Sequence, residues 1–170
     1  VTIIVRLHDF LKGITVPYAT EGNVKLEKLD YKLIKSKIDL ILEEGCKLTG
    51  MEKASHSVRV AFVSSSLHPT SLIPILNARI SADNRIHHAF TGTGSVNVAA
   101  AACIKGTIAE FELSSSLGSV KEEGEPGLRR IGIEHPGGLI ELSVKVDNDT
   151  YKSAILTRSA RMLMSGMVWI

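Results

Sequence analysis

Arg85-Ile-His-His-Ala-Phe-Thr-Gly-Thr-Gly-Ser-Val-Asn-Val-Ala-Ala-Ala-Ala-Cys103 decides the fold, because a polar, glycine-bearing turn runs without interruption into an alanine-rich apolar segment. Val96 to Cys103 reads as a short buried helix, alanine being the strongest helix former. Thr91, Thr93 and Ser95 supply hydroxyls, one of which can cap the helix, and Gly92 and Gly94 permit backbone angles that other residues resist. A helix start carries about half a positive charge and unpaired N–H donors, so a carboxylate or phosphate is the guest this turn would hold. Without a ligand the same residues would serve as a plain helix cap.

A helix with no polar face must be enclosed, and the flanking sequence supplies the enclosure. Downstream, Ile131 to Glu134, Leu139 to Val146 and Tyr151 to Leu156 read as three strands of an antiparallel meander, joined through Pro136-Gly-Gly138 and Asp147-Asn-Asp149. Gly106 to Leu113 also alternates like a strand, and Ser114 to Arg130 is rich in Ser, Gly and charge, as expected of a mobile loop. Upstream, Val1 to Val5 and Val58 to Val63 read as strands, and Ser64 to Pro69 as a surface loop. From Leu29 to Leu42 the spacing of Leu33, Ile34, Ile38, Ile41 and Leu42 predicts an amphipathic helix capped or charged by Asp30 and ending near Gly45. Leu72 to Ile80 is ambiguous: Pro74 weakens a helix there, although Ile75, Leu76 and Arg79 allow a short one after it. Thr157 to Ile170 mixes a basic, small-residue stretch with a strand-like Met167 to Ile170. The expected architecture is α+β, a curved and mainly antiparallel sheet wrapped around a central helix at about 96–103, with an outer amphipathic helix at about 30–44.

The 170 residues, 44% hydrophobic and 22% charged, fit one soluble globular domain spanning 1–170. A formal charge of only +2 and 5% aromatic content lack the basic stripe and stacking platform that nucleic-acid binding needs. Cys46 and Cys103 lie far apart, which suits free thiols in the reducing cytoplasm better than a disulfide. No apolar run reaches the roughly 18 to 20 residues of a membrane span, so no membrane partner is expected. The opening strand pattern without a methionine is that of a chain with further sequence upstream.

Three ordered motifs resemble the second half of the PrpF-type isomerases, which include methylaconitate and aconitate isomerases and oxalomesaconate tautomerase. They are His87-His-Ala-Phe-Thr-Gly-Thr-Gly-Ser95 leading into Gly106-Thr107, Ile133-Glu-His-Pro-Gly-Gly138, and Thr157-Arg-Ser-Ala-Arg161 before Gly166. The resemblance implies a diaminopimelate epimerase-like fold, in which two similar domains face each other across a cleft and both central helices point their N-termini at the substrate. It implies a cofactor- and metal-free proton shift between allylic carbons of an unsaturated di- or tricarboxylate. It also implies that the catalytic cysteine and lysine belong to a first domain which this chain lacks, so that the chain alone is inactive and requires that domain or a second subunit. In racemising relatives a second cysteine precedes the Gly-Thr-Gly; here Thr91 stands there, a poor acid or base at neutral pH. A degenerate, non-catalytic binding or scaffold domain is the alternative. Half of a two-domain body would leave apolar surface uncovered, so self-association is expected.

The substrate-binding candidates are Thr91, Gly92, Thr93, Gly94 and Ser95, with His88 and Arg79. His87 and His88 are adjacent, so on a strand they point to opposite faces; one packs while the other can face the cleft, and they do not form a metal pair. Arg79 suits a bidentate carboxylate contact, with a solvated surface position as the alternative. Arg158 and Arg161 fit a structural role in closing the sheet or capping a loop, and His135 a structural role in its turn. Cys103, two to three turns inside the apolar helix, fits an inert buried thiol. His8, His56 and His68 have no partner spacing and are assigned no role.

Overall fold

A computed structural model describes residues 1–14, 30–51, 58–66, 73–82, 85–116, 124–158 and 162–167. Its central helix, Gly92–Ala102, begins four residues before the expected Val96 because Thr91, not Ser95, is the cap: its Oγ1 accepts from Gly94 N at 3.3 Å. Chain order gives β1 (Thr2–Arg6), α1 (Leu7–Leu11), α2 (Tyr31–Thr49), β2 (Arg59–Ser65), β3 (Ile75–Ala82) and β4 (Arg85–Ile86). The central helix α3, α4 (Ile108–Ser114), β5 (Leu128–His135), β6 (Gly138–Asp147) and β7 (Thr150–Leu156) follow.

One mixed sheet runs β1-β2-β3-β5-β6-β7, with β4 paired to β3. The β1/β2 and β3/β5 pairs are parallel and the rest antiparallel. Each parallel pair is joined by a helical crossover, as parallel strands require. Helix α3 contacts both edge strands, β1 and β7, as well as β5 and β6, so the sheet curls around it as expected. Alternation supplies the lining: Ala61 and Val63, Leu76, Ala78 and Ile80, Ile131 and Ile133, and Leu142, Val144 and Val146 all point at Val98, Ala99 and Ala102. On the other face, Val60 and Phe62 pack under Leu7, Phe10, Ile34 and Ile38 of α1 and α2. Strand β2 is therefore buried on both sides, which accounts for its unbroken apolar run.

Several elements differ from the sequence reading. Gly106 to Leu113 is not a strand: Thr107 caps α4 by accepting from Glu110 N at 3.1 Å, and its hydroxyl lies 2.6 Å from Ala101 O at the end of α3. The Thr-x-x-Glu spacing of a capping box was present in the sequence, and Ala109 and Leu113 share a face as well at helical as at alternating spacing. Residues 75–82 form a strand and not a short helix, because β2 and β5 on either side offer backbone partners that outweigh local propensity.

Helix α2 runs past Gly45 to Thr49. Gly45 is a point of contact, where a Cβ would collide with Ile3, and the left-handed cap is Gly50 at φ 66°. Asp30 does cap the helix, accepting from Lys32 N at 3.0 Å, whereas Leu33 faces outward at 66% exposure. The meander holds, with β6 and β7 joined through Asn148 and Asp149, both at positive φ as a tight primed hairpin turn demands. The Ser64–Pro69 and Ser114–Arg130 loops are shortened by β2, α4 and β5; residues 67–69 and 117–123 of those stretches lie outside the described residues, as do His56, Arg161 and the strand-like 168–170.

Candidate functional site

Helix starts leave their first N–H groups without intrahelical acceptors. At α3 the Gly94 N–H is met by Thr91 Oγ1, and those of Gly92 and Thr93 meet no acceptor among the described residues. Ser95 is turned inward, fully buried and donating its hydroxyl to Gly92 O at 2.7 Å, so it braces the turn while Thr93 is exposed. The glycines are there for space and not for unusual backbone angles, since neither has positive φ. A Cβ on Gly94 would sit 2.6 Å from Thr91 Oγ1, 2.7 Å from Ile80 Cδ1 and 3.2 Å from Phe90 Cε1. One on Gly92 would collide with the Arg158 guanidinium.

Arg158, just beyond the end of β7, is thus brought onto the α3 turn, and this was not legible in the sequence. It lies in a cleft of about 640 Å³ with Phe90, Arg130, Glu141, Leu156 and Thr157. No salt bridge holds Arg158 among the described residues, whereas Arg130 is held by Glu141 at 2.6 Å.

Of the adjacent histidines, His87 turns its ring in, burying Nε2 without a partner among the described residues while its backbone N–H donates to Ile80 O at 2.9 Å, and His88 is exposed. His88 reaches the β5–β6 turn, its Cδ2 3.7 Å from where a Gly137 Cβ would stand. There His135 accepts from Gly137 N at 3.0 Å. Burial holds the His135 pKa below the ordinary histidine value; a hydrogen bond to the His88 backbone opposes this, and the charges of Arg79 and His88 add to it.

Arg79 is not brought to the α3 turn. Ile80 points at Gly94, so its neighbour Arg79 points to the opposite face. It is only 6% exposed, and its Nη1 donates to Asn77 Oδ1 at 2.6 Å and Ala78 O at 2.8 Å. Among the described residues, no group of three His, Cys, Asp or Glu is arranged to hold a metal ion.

Cys103 is buried at the far end of α3, where Arg129 Nη1 donates to its carbonyl at 2.7 Å. Burial pushes its thiol from the ordinary 9.0 up to about 11, with Arg129 pulling weakly the other way. The neutral thiol fits the core, so its contribution to stability is complete below pH 9 and is lost as pH rises to about 11. That contribution is roughly 2–3 kcal/mol. Urea melts of the protein and of Cys103→Ala should therefore differ by a constant amount below pH 9 and converge on the alkaline side; a difference unchanged to pH 11 would contradict the burial.

The sequence profile of the PrpF protein family matches residues 49–170, which include the α3 turn, the β5–β6 turn and Arg158. The chain belongs to the PrpF family. It is 32% identical over 128 residues to 2-methyl-aconitate isomerase of Cupriavidus necator, covering 68% of this chain and 30% of that protein. With 4-oxalomesaconate tautomerase of Pseudomonas putida it shares 30% identity over 95 residues, 56% of this chain and 24% of that one. A crystal structure of methylitaconate-delta-isomerase superposes with a TM-score of 0.64 at 22% identity, covering 97% of this chain and 43% of the other. The fold is therefore diaminopimelate epimerase-like, as in this isomerase, and the chain spans less than half the length of each of these proteins. No helix among the described residues is long and apolar enough to cross a membrane.

Proposed function

We propose that this chain is the carboxylate-holding, C-terminal-type domain of a PrpF isomerase or tautomerase. The enzyme moves a proton and a double bond in an unsaturated di- or tricarboxylate such as aconitate, methylaconitate or oxalomesaconate. The observation that carries the reading is the pair of N–H groups of Gly92 and Thr93, left without acceptors at the positive end of α3 and beside the Arg158 cleft. The names of the relatives, all isomerases or tautomerases of such acids, support it.

Removing a proton from the carbon next to a carboxylate pushes negative charge onto its oxygens. Two fixed N–H donors at a helix start stabilise that charge without reorganising, the arrangement that lowers such barriers most. The acid and base come from the remaining part of the enzyme or a second subunit, because Thr91, at the head of the turn, is committed as the α3 cap and does not ionise near neutrality. No cofactor is required for a shift that only relocates a proton. Met162, Leu163, Met164 and Met167, all strongly exposed, are surface for that other part, or a second copy, to cover.

Titrating the ¹⁵N-labelled chain with cis-aconitate is expected to shift the Gly92 and Thr93 amides first, and vinylic protons should not exchange with D₂O. Shifts elsewhere would overturn the assigned site. Turnover by these 170 residues alone would overturn the division of labour, and binding without turnover in the complete protein would favour a scaffold role.

A further inference from the structure

The two ends of α3 are treated differently by the arginines that reach them. Arg129 donates to the Cys103 carbonyl at the negative end, where a cation is stabilising. Arg158 lies against Gly92 at the positive end, where a cation raises the energy unless an anion stands between. The cleft shows the same contrast: Arg130 is neutralised by Glu141 at 2.6 Å, and no described carboxylate pairs with Arg158. Its one uncompensated charge is thus aimed where a negative group would relieve it.

We propose that Arg158 is the specificity-determining residue of the site, binding a second carboxylate of the substrate in the 640 Å³ cleft while the α3 turn holds the first. This rests on the carboxylate-holding role proposed above. The cleft explains why a second group goes there. Phe90, Leu156 and Ile155 give it apolar walls suited to a short carbon skeleton, and Arg158 with Thr157 in its lining offers donors suited to the skeleton's far end. Gly92 is then explained too, since any side chain there would displace the guanidinium from both the helix start and the cleft. The site selects di- and tricarboxylates over monocarboxylates, because an acid lacking the second group leaves Arg158 uncompensated.

Arg158 is exposed and donates no hydrogen bond to the described core, so its replacement should leave the fold intact, as checked by thermal melting. The test compares dissociation constants for trans-aconitate and for crotonate, a monocarboxylate, in the chain, Arg158→Gln and Arg158→Lys. Arg158→Gln should weaken trans-aconitate by about tenfold or more and crotonate by less than about twofold, the size expected for a lost charge-assisted pair. Arg158→Lys, keeping charge without the planar fork, should recover part of the loss. Unchanged trans-aconitate binding in Arg158→Gln would overturn the assignment while leaving the α3 site standing. Equal losses for both acids would also overturn it, by showing one carboxylate shared between α3 and Arg158. Failure of the unaltered chain to bind either acid would sink the carboxylate-holding reading itself, and this inference with it.

Discussion

Gly94→Val is expected to lower the melting temperature by about 5–15 °C and to abolish the carboxylate binding proposed for the α3 turn. Three contacts lie inside ordinary Cβ distance at Gly94: Thr91 Oγ1 at 2.6 Å, Ile80 Cδ1 at 2.7 Å and Phe90 Cε1 at 3.2 Å. Ile80 and Phe90 are buried in the main core, so neither can swing into solvent. Overpacking of this kind costs about 1–3 kcal/mol. Displacing the Thr91 hydroxyl removes the cap as well, about 1 kcal/mol more. A loss of roughly 2–4 kcal/mol shifts melting by about 2–4 °C per kcal/mol in a chain of this size. Gly94→Ala, with the same Cβ and no further branches, should lose less stability yet still misplace the cap. A valine variant melting within a degree or two of the parent would show that the α3 start has room that these contacts deny.

Gly94 also separates what in the site is local to the sequence from what the fold supplies. Spacing alone located the turn and the buried helix, because helix propensity is local, but it left the cap open among Thr91, Thr93 and Ser95 and began the helix four residues late. The reason for the glycines was misread: their backbone angles are ordinary, and what crowds them comes partly from other segments, Ile80 of β3 beside local Phe90 at Gly94 and the Arg158 guanidinium at Gly92. The two arginines show the same limit. Arg79 suits a bidentate carboxylate contact by its chemistry, yet strand alternation sends it to the face opposite the α3 turn. Arg158 reaches Gly92 only because the sheet curls until the end of β7 lies over the start of α3, a property of six strands together.

The fold follows the same division. The β5–β7 meander was legible because each strand alternates and short turns set the register. Strand β3 was not, because its pairing with β2 and β5 comes from residues far away in sequence. Helix α4 was misread although its cap was visible, because Ala109 and Leu113 satisfy both periods and the four-residue cap signal was the only arbiter.

Helix α4 is also where the second large effect is expected. Glu112 is nearly buried, with a side chain 10% exposed, and its two oxygens are both engaged: Oε1 with Arg6 Nε at 2.5 Å and Oε2 with the Ser65 N–H at 3.0 Å. Arg6 at the end of β1 also lies over the Phe111 ring at 4.7 Å and near Asp9 at 3.5 Å. One carboxylate therefore ties α4 to β1 and β2 on the strands that close the sheet around α3. Removing one partner of a buried pair costs about 3–5 kcal/mol, because the other charge is left uncompensated. Arg6 is 33% exposed and partly solvated, and it keeps Asp9 as a neighbour, so the discounted expectation is nearer 2–3 kcal/mol for Glu112→Ala. Glu112→Gln retains an acceptor for Ser65 and loses only the charge, so its urea midpoint should lie between the two. In a double-mutant cycle with Arg6→Met, much of the cost of Glu112→Ala should disappear, since no unpaired cation remains. If Glu112→Ala were as stable as the parent to within about 0.5 kcal/mol, the pair would be an ordinary surface contact, and α4 would owe its place to Ala109 and Leu113 alone.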